Sequence, residues 1–194
     1  MLSQTREIRA FIAIELPEGV KFFLKELLAQ LRSFGGSVRW TRPESIHLTL
    51  KFLGNVNNKL QTDLQVALTP VFTKQKPFLL TVSGVGAFPS LNKARVIWAG
   101  LEDPSGLSVA LAAELEDTLE PLGFQKEKRS FTPHLTLGRV KSGIGSSELV
   151  GVMRQMSAIS GPAFLADHAV LFESVLKPSG AEYSSLRRFD FSSV

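Results

Sequence analysis

The tetrapeptide His-Leu-Thr-Leu occurs twice in this chain, from His47 to Leu50 and from His134 to Leu137. The two copies contain two of the three histidines. In an extended strand successive side chains point to opposite faces. His47 and Thr49 then share one face while Leu48 and Leu50 share the other, and His134 and Thr136 stand in the same relation to Leu135 and Leu137. Each copy is thus a small polar pair whose apolar back can anchor it to a core, which constrains both copies to be strands with one buried side.

The copies lie 87 residues apart (134 minus 47), and the offset extends beyond them. It maps Phe11 onto Trp98 and Ala13 onto Gly100, within strand-like runs Ala10–Leu16 and Arg95–Leu101. A helical pattern follows each run. The first is Val20, Phe23, Leu24, Leu27, Leu28 and Leu31, bracketed by Pro17 and Gly35-Gly36. The second is Leu107, Leu111, Leu115, Leu119 and Leu122, bracketed by Pro104 and Gly123. After each motif comes another helix candidate, Leu60–Phe72 or Ser147–Met156, and another strand candidate, Phe78–Val85 or Ala163–Leu171. The tail from Val175 to Val194 is rich in serine and turn formers, with a turn expected at Pro178-Ser179-Gly180. The chain therefore reads as one bilobal domain over residues 1–194, with an internal repeat over roughly 8–90 and 94–175. Packing of the halves about a pseudo-two-fold axis is expected to bring His47 and His134 to face each other across a cleft.

Composition narrows the function. The 194 residues are 44% hydrophobic and 21% charged, as in an ordinary globular domain. The formal charge of +4 is a mild basic bias compatible with an anionic partner. Without cysteine, disulfides, zinc–thiolate sites and a thiol nucleophile are excluded. No signal-like pattern opens the chain, and the long uncharged run Phe78–Asn92 holds Gly84, Gly86 and Pro89. A cytoplasmic protein without a membrane span is expected. The histidines lack the spacing and carboxylate company of a zinc site, and Gly84-Val85-Gly86 lacks the Lys-Ser/Thr ending of a phosphate loop. Neither a metal nor a cofactor is expected.

Two imidazoles and two hydroxyls in one cleft suit acid–base work on a phosphate. A neutral histidine can take a proton from water while a cationic one protonates the leaving oxygen, with the threonine hydroxyls donating to the non-bridging oxygens. Around this quartet, Lys51 shares the strand face of His47 and Thr49 by the period of two. Phe11 and Trp98 are candidates to stack a terminal base, with core packing the alternative for each. Arg139 falls with Leu135 and Leu137 unless its strand is ending or bulged, and either phosphate contact or a structural salt bridge would occupy it. Lys126, Lys128 and Arg129 form a short basic run better read as a solvated loop. His168, with no threonine two positions on, is read as having a structural or surface role.

The chain resembles the 2H phosphoesterase superfamily, named for two His-x-Thr/Ser motifs, and within it the RNA 2',3'-cyclic phosphodiesterases, also called 2'-5' RNA ligases. The resemblance is carried by residues 9–14 (Arg-Ala-Phe-Ile-Ala-Ile), 40–46 (Trp-Thr-Arg-Pro-Glu-Ser-Ile) and 51–54 (Lys-Phe-Leu-Gly) around the first motif. Phe131-Thr132-Pro133 and Gly138-Arg139 flank the second, and Ser174, Leu176, Pro178, Gly180 and Tyr183 follow near the end. It implies an α+β fold of two pseudo-two-fold-related lobes, each a mainly antiparallel sheet with helices packed outside, and an active-site groove between them. It implies metal-independent hydrolysis of an RNA terminal 2',3'-cyclic phosphate to a 2'-phosphate; a small cyclic-phosphate nucleotide is a further substrate option, and a duplicated chain that completes its own site is expected to be a monomer. By this likeness His47 would be the proton donor and His134 the acceptor, Thr49 and Thr136 would hold the phosphate and Arg139 would contact phosphate or RNA; Phe11, Lys51 and Trp98 join them as substrate-binding candidates from the strand pattern alone. The residues alone do not assign acid and base, because the motifs are nearly symmetric. Reversible 2'-5' ligation and a non-catalytic RNA-end-binding module are the competing readings.

Overall fold

The computed structural model describes residues 6–57, 59–141, 146–178 and 180–192. Its strands are β1 (Glu7–Ile14), β2 (Val38–Trp40), β3 (Leu48–Asn57), β4 (Phe78–Phe88), β5 (Val96–Glu102), β6 (His134–Val140), β7 (Ser160–Ala166), β8 (His168–Lys177) and β9 (Gly180–Asp190). The helices are α1 (Glu18–Ser33), α2 (Leu60–Thr73), α3 (Leu107–Leu119) and α4 (Ser147–Gln155). The fold is α+β and the strand pairing is antiparallel throughout.

The strands run in the order β7-β4-β5-β6-β3-β1-β8-β9, with β2 beside β6. Two four-stranded halves meet at a single paired position, Leu48 with Leu135. These are the same position of the two tetrapeptides, so the pseudo-two-fold relation centres on that pair. Each half mixes the sequence repeats. β4, from the first repeat, pairs with β5 of the second, and β8, from the second, pairs with β1 of the first. The helices exchange likewise: α1 packs on β7 and α4, whereas α3 packs on β3 and α2.

The helices cover one face of the sheet and enclose the main core, in which Ile12, Leu24, Leu48, Leu68, Ile97, Leu115 and Leu135 are all buried. The opposite face carries a small cluster of Phe11, Ala13, Val170 and Phe172, with Tyr183 packed on it.

Two expectations change. Ala163–Leu171 is the end of β7 and the start of β8, broken at Asp167, and each of these strands lies in a different half of the sheet. The serine-rich tail is the long strand β9, paired along β8 from Gly180 to Asp190. Its own pattern is too polar to announce a strand, because β9 is an edge that buries little beyond Phe189. Ser179, in the expected turn before it, lies outside the described residues.

Candidate active site

The decisive local feature is a bulge in each motif strand. Thr49 pairs with Ala13 and Lys51 with Ile12, so Leu50 is an extra residue in β3. Thr136 pairs with Trp98 and Gly138 with Ile97, so Leu137 is the equivalent extra residue in β6. A bulge puts two successive side chains on one side and reverses the alternation after it. Lys51 therefore does not share a face with His47 and Thr49. It turns into the helix-covered core, 5% exposed, where its ammonium pairs with Glu116 of α3 and donates to the Gln125 carbonyl at 2.7 Å. On β6 the same reversal works the other way: Arg139 leaves the leucine face and joins His134 and Thr136.

The pairing also corrects the equivalence of the first strands. With the motif threonines as reference, the counterpart of Trp98 is Ala13. The offset of 87 is two residues out here, because Ala13 to Thr49 is 36 residues and Trp98 to Thr136 is 38. The indole is accommodated by Gly86, paired directly opposite. A Cβ there would lie 2.2 Å from Trp98 Cζ2. Gly84, two residues earlier, is itself a bulge residue at φ 67°, its N–H donating to the Ile159 carbonyl at 2.8 Å. The glycine pair shapes a strand.

The four polar side chains of the motifs surround the Leu48–Leu135 pair on the face away from the helices. Both histidines are oriented alike. His47 Nδ1 lies 3.0 Å from the Ser45 carbonyl and His134 Nδ1 lies 2.7 Å from the Thr132 carbonyl, each two residues upstream. A carbonyl only accepts, so Nδ1 carries the proton and the neutral ring presents the Nε2 lone pair. The backbone before each motif, Pro43–Ser45 and Phe131–Pro133, sets this orientation. Among the described residues neither threonine hydroxyl is engaged elsewhere in the protein.

The surroundings of the two imidazoles differ. His47 stacks on Phe11 with centroids 4.6 Å apart and meets the Tyr183 edge at 5.2 Å. Burial there lowers its pKa to about 4, against the opposing effects of the Ser45 carbonyl and the Glu15 carboxylate. His134 meets Phe88 edge-on at 5.0 Å. Burial lowers its pKa too, opposed by the Thr132 carbonyl and reinforced by the Arg139 charge. Burial is the largest influence at each ring, and it lowers both pKa values.

The predicted site residues divide accordingly. His47, Thr49, His134 and Thr136 come together, and Arg139 faces the same groove. Trp98 is half-buried beside Thr136, tilted against Phe88 at 5.3 Å, with its indole N–H buried and unpartnered among the described residues. Phe11 is 3% exposed beneath His47, a support for the ring with no free face for a base. Lys51 lies on the other side of the sheet. His168 sits between Asp167, at 2.5 Å, and Glu15, at 3.2 Å. Lys126 binds Asp117 and Glu120 of the preceding helical segment.

Three groove residues escaped the reading of the motifs themselves. Tyr183, Phe172 and Phe88 arrive on β9, β8 and β4, through pairings that no local pattern reveals. Tyr183 is the chain's one tyrosine, which was the available signal. Burial raises its pKa against the opposing charges of Arg139, Arg9 and Arg42.

A curled antiparallel sheet centred on two equivalent His-x-Thr strands is the arrangement of a 2H phosphoesterase. The chain belongs to the LigT-like phosphoesterase family, whose model matches residues 14–98 and again 102–183. Similar proteins include the RNA 2',3'-cyclic phosphodiesterase of Methanothermobacter thermautotrophicus, 30% identical over 94% of this chain and 98% of the relative. That of Archaeoglobus fulgidus is 33% identical over 94% of this chain and 100% of the relative. Among solved structures, the protein TT0787 of Thermus thermophilus superposes with a TM-score of 0.81 at 27% identity, covering 96% of this chain and 100% of the other. E. coli LigT complexed with 3'-AMP gives 0.77 at 24% identity, covering 96% and 99%, a likeness of fold. Among the described residues no helix is long and apolar enough to cross a membrane.

Proposed function

We propose that the protein hydrolyses the 2',3'-cyclic phosphate at an RNA end to a 2'-phosphate, with His47 as general acid and His134 as general base and without a metal ion. The observation that carries this is the quartet itself: two imidazoles, each with Nδ1 tied to main chain and Nε2 free, and two unengaged hydroxyls on one face. The relatives named RNA 2',3'-cyclic phosphodiesterase supply the substrate class.

In this reading the phosphate lies between Thr49 and Thr136, which donate to its non-bridging oxygens. His134 Nε2 takes a proton from water as the water oxygen bonds to phosphorus. The P–O3' bond breaks on the opposite side and His47 delivers its proton to O3'. One water is consumed, and the products are a 2'-phosphomonoester and a 3'-hydroxyl.

His47 must be protonated to act as the acid. An anionic phosphate against its ring would offset the burial that lowers its pKa. Two fixed charges support this assignment: Glu15 acts to raise the pKa of His47, and Arg139 acts to lower that of His134. Both motifs come from one chain, and we read the protein as a cytoplasmic monomer.

The test incubates purified protein, in chelator, with an oligonucleotide ending in a 2',3'-cyclic phosphate. Conversion to a 2'-phosphate end is expected. Retained binding without conversion would instead support an end-binding module.

A further inference from the structure

His168 is the one histidine of the three that the proposed chemistry does not use. The sheet register nevertheless ties it to the site. Ile14 of β1 is paired with Leu48 of β3, and Ala13 of β1 with Val170 of β8. One step past the first pair puts Glu15 opposite His47, and two steps past the second put Glu15 opposite His168. His168 is in turn paired with Asp190 of β9. A single row of side chains therefore crosses four strands: His47, Glu15, His168, Asp190. Alternation places this row on the face of Ala13 and Val170, which is the groove face.

The hydrogen bonds fix the carboxylate at the centre of the row. His168 Nε2 lies 3.2 Å from the Glu15 carboxylate, and His168 Nδ1 lies 2.5 Å from that of Asp167, between β7 and β8. Carboxylates only accept, so a cationic His168 with a proton on each nitrogen serves both. Asp190 is engaged by Arg188, whose Nε donates to it at 2.7 Å. On the other side of Glu15, His47 turns its Nδ1 to the Ser45 carbonyl and meets the Tyr183 edge. Glu15 is thus held from the His168 side alone, while its charge acts on His47. The Glu15 side chain is 47% exposed and that of His168 only 15%. An unrestrained carboxylate at such exposure spreads over many rotamers, and water screens its field. Stability does not account for the arrangement, because a solvent-exposed ion pair contributes little to it.

We propose that His168 is a positioning residue: with Asp167 it clamps the Glu15 carboxylate beside His47 and so equips that ring to serve as the proton donor. This rests on the phosphodiesterase reading above. The clamp touches neither the substrate nor the reacting atoms. It acts through Glu15, so its loss should appear in kcat and leave KM little changed.

The experiment titrates His47 by NMR of its imidazole, and measures kcat and KM at pH 7 for a nucleoside 2',3'-cyclic phosphate. Glu15→Gln should move the His47 titration down by about half a pH unit. It should lower kcat about threefold, because above its pKa the protonated fraction of a group falls in step with that value. His168→Phe keeps a ring of similar size without a donor, and should reproduce both changes. Added to Glu15→Gln, it should lower neither any further. His168→Gln, whose amide still donates to Glu15, should stay close to wild type. A His47 titration that His168→Phe leaves in place, or moves equally with and without Glu15, overturns the clamp. So does an unchanged kcat when the titration moves. Where His168→Phe does not fold, His168→Ala is read in the same way. If the wild-type protein turns over no cyclic phosphate, the hydrolytic reading fails, and the His47 titration alone decides the clamp.

Discussion

At the residue scale the candidate site holds two histidines whose rings are aimed by main chain and whose pKa values burial lowers. His47→Ala and His134→Ala should each lower turnover of a cyclic-phosphate substrate by at least about 100-fold, with unchanged circular dichroism. Near-normal turnover in either folded variant would remove that histidine from the mechanism. Burial of His47 also has a consequence for stability. Above pH 6.5 the ring is neutral whether the chain is folded or not. As pH falls from 6.5 towards about 4, the unfolded chain takes up a proton at this position that the folded protein does not, so stability declines through that window. Urea midpoints measured across it should fall, and His47→Gln should flatten part of the slope. An identical slope in the variant would mean that His47 is not held neutral.

At the element scale the bulges at Leu50 and Leu137 decide which neighbours the quartet acquires. The two motif strands were legible because alternation is a local property of a few consecutive residues. The reversal after each bulge was not, since it depends on how β3 and β6 register against β1 and β5. Lys51 shows the result, being aimed at the groove by alternation yet buried against Glu116 in the register adopted. Removing one partner of a buried ion pair typically costs about 3–5 kcal/mol, whereas replacing both with apolar groups can be neutral. Glu116→Ala should therefore destabilise the fold by about 3 kcal/mol, since Glu116 also accepts from the Glu127 N–H at 3.0 Å. The double variant Lys51→Met, Glu116→Leu should recover most of that loss and retain hydrolysis, as read by denaturant midpoint and turnover. Loss of activity in a stable double variant would return Lys51 to the substrate site.

At the scale of the whole molecule, each half of the sheet takes strands and helices from both sequence repeats. β4 and α1 sit in the half built on β5 and β6, and β8 and α3 in the half built on β1 and β3. Chains cut between Ser90 and Lys93 should yield halves that are unstructured when purified alone and that regain helical signal and activity on mixing. A separately folded half would contradict the exchange. The duplicated motif strands, helices α1 to α4, the apolar back of each strand and the four side chains of the quartet were legible in the sequence. All of these follow from composition and period over a few residues. Packing of the whole chain settles the partners of β4 and β8, the strand hidden in the polar tail, the burial of Lys51 and Phe11, the arrival of Tyr183 beside His47, and the meeting of Arg39 with Arg139. Those outcomes depend on register between strands distant in sequence, where one inserted residue exchanges the groove for the core.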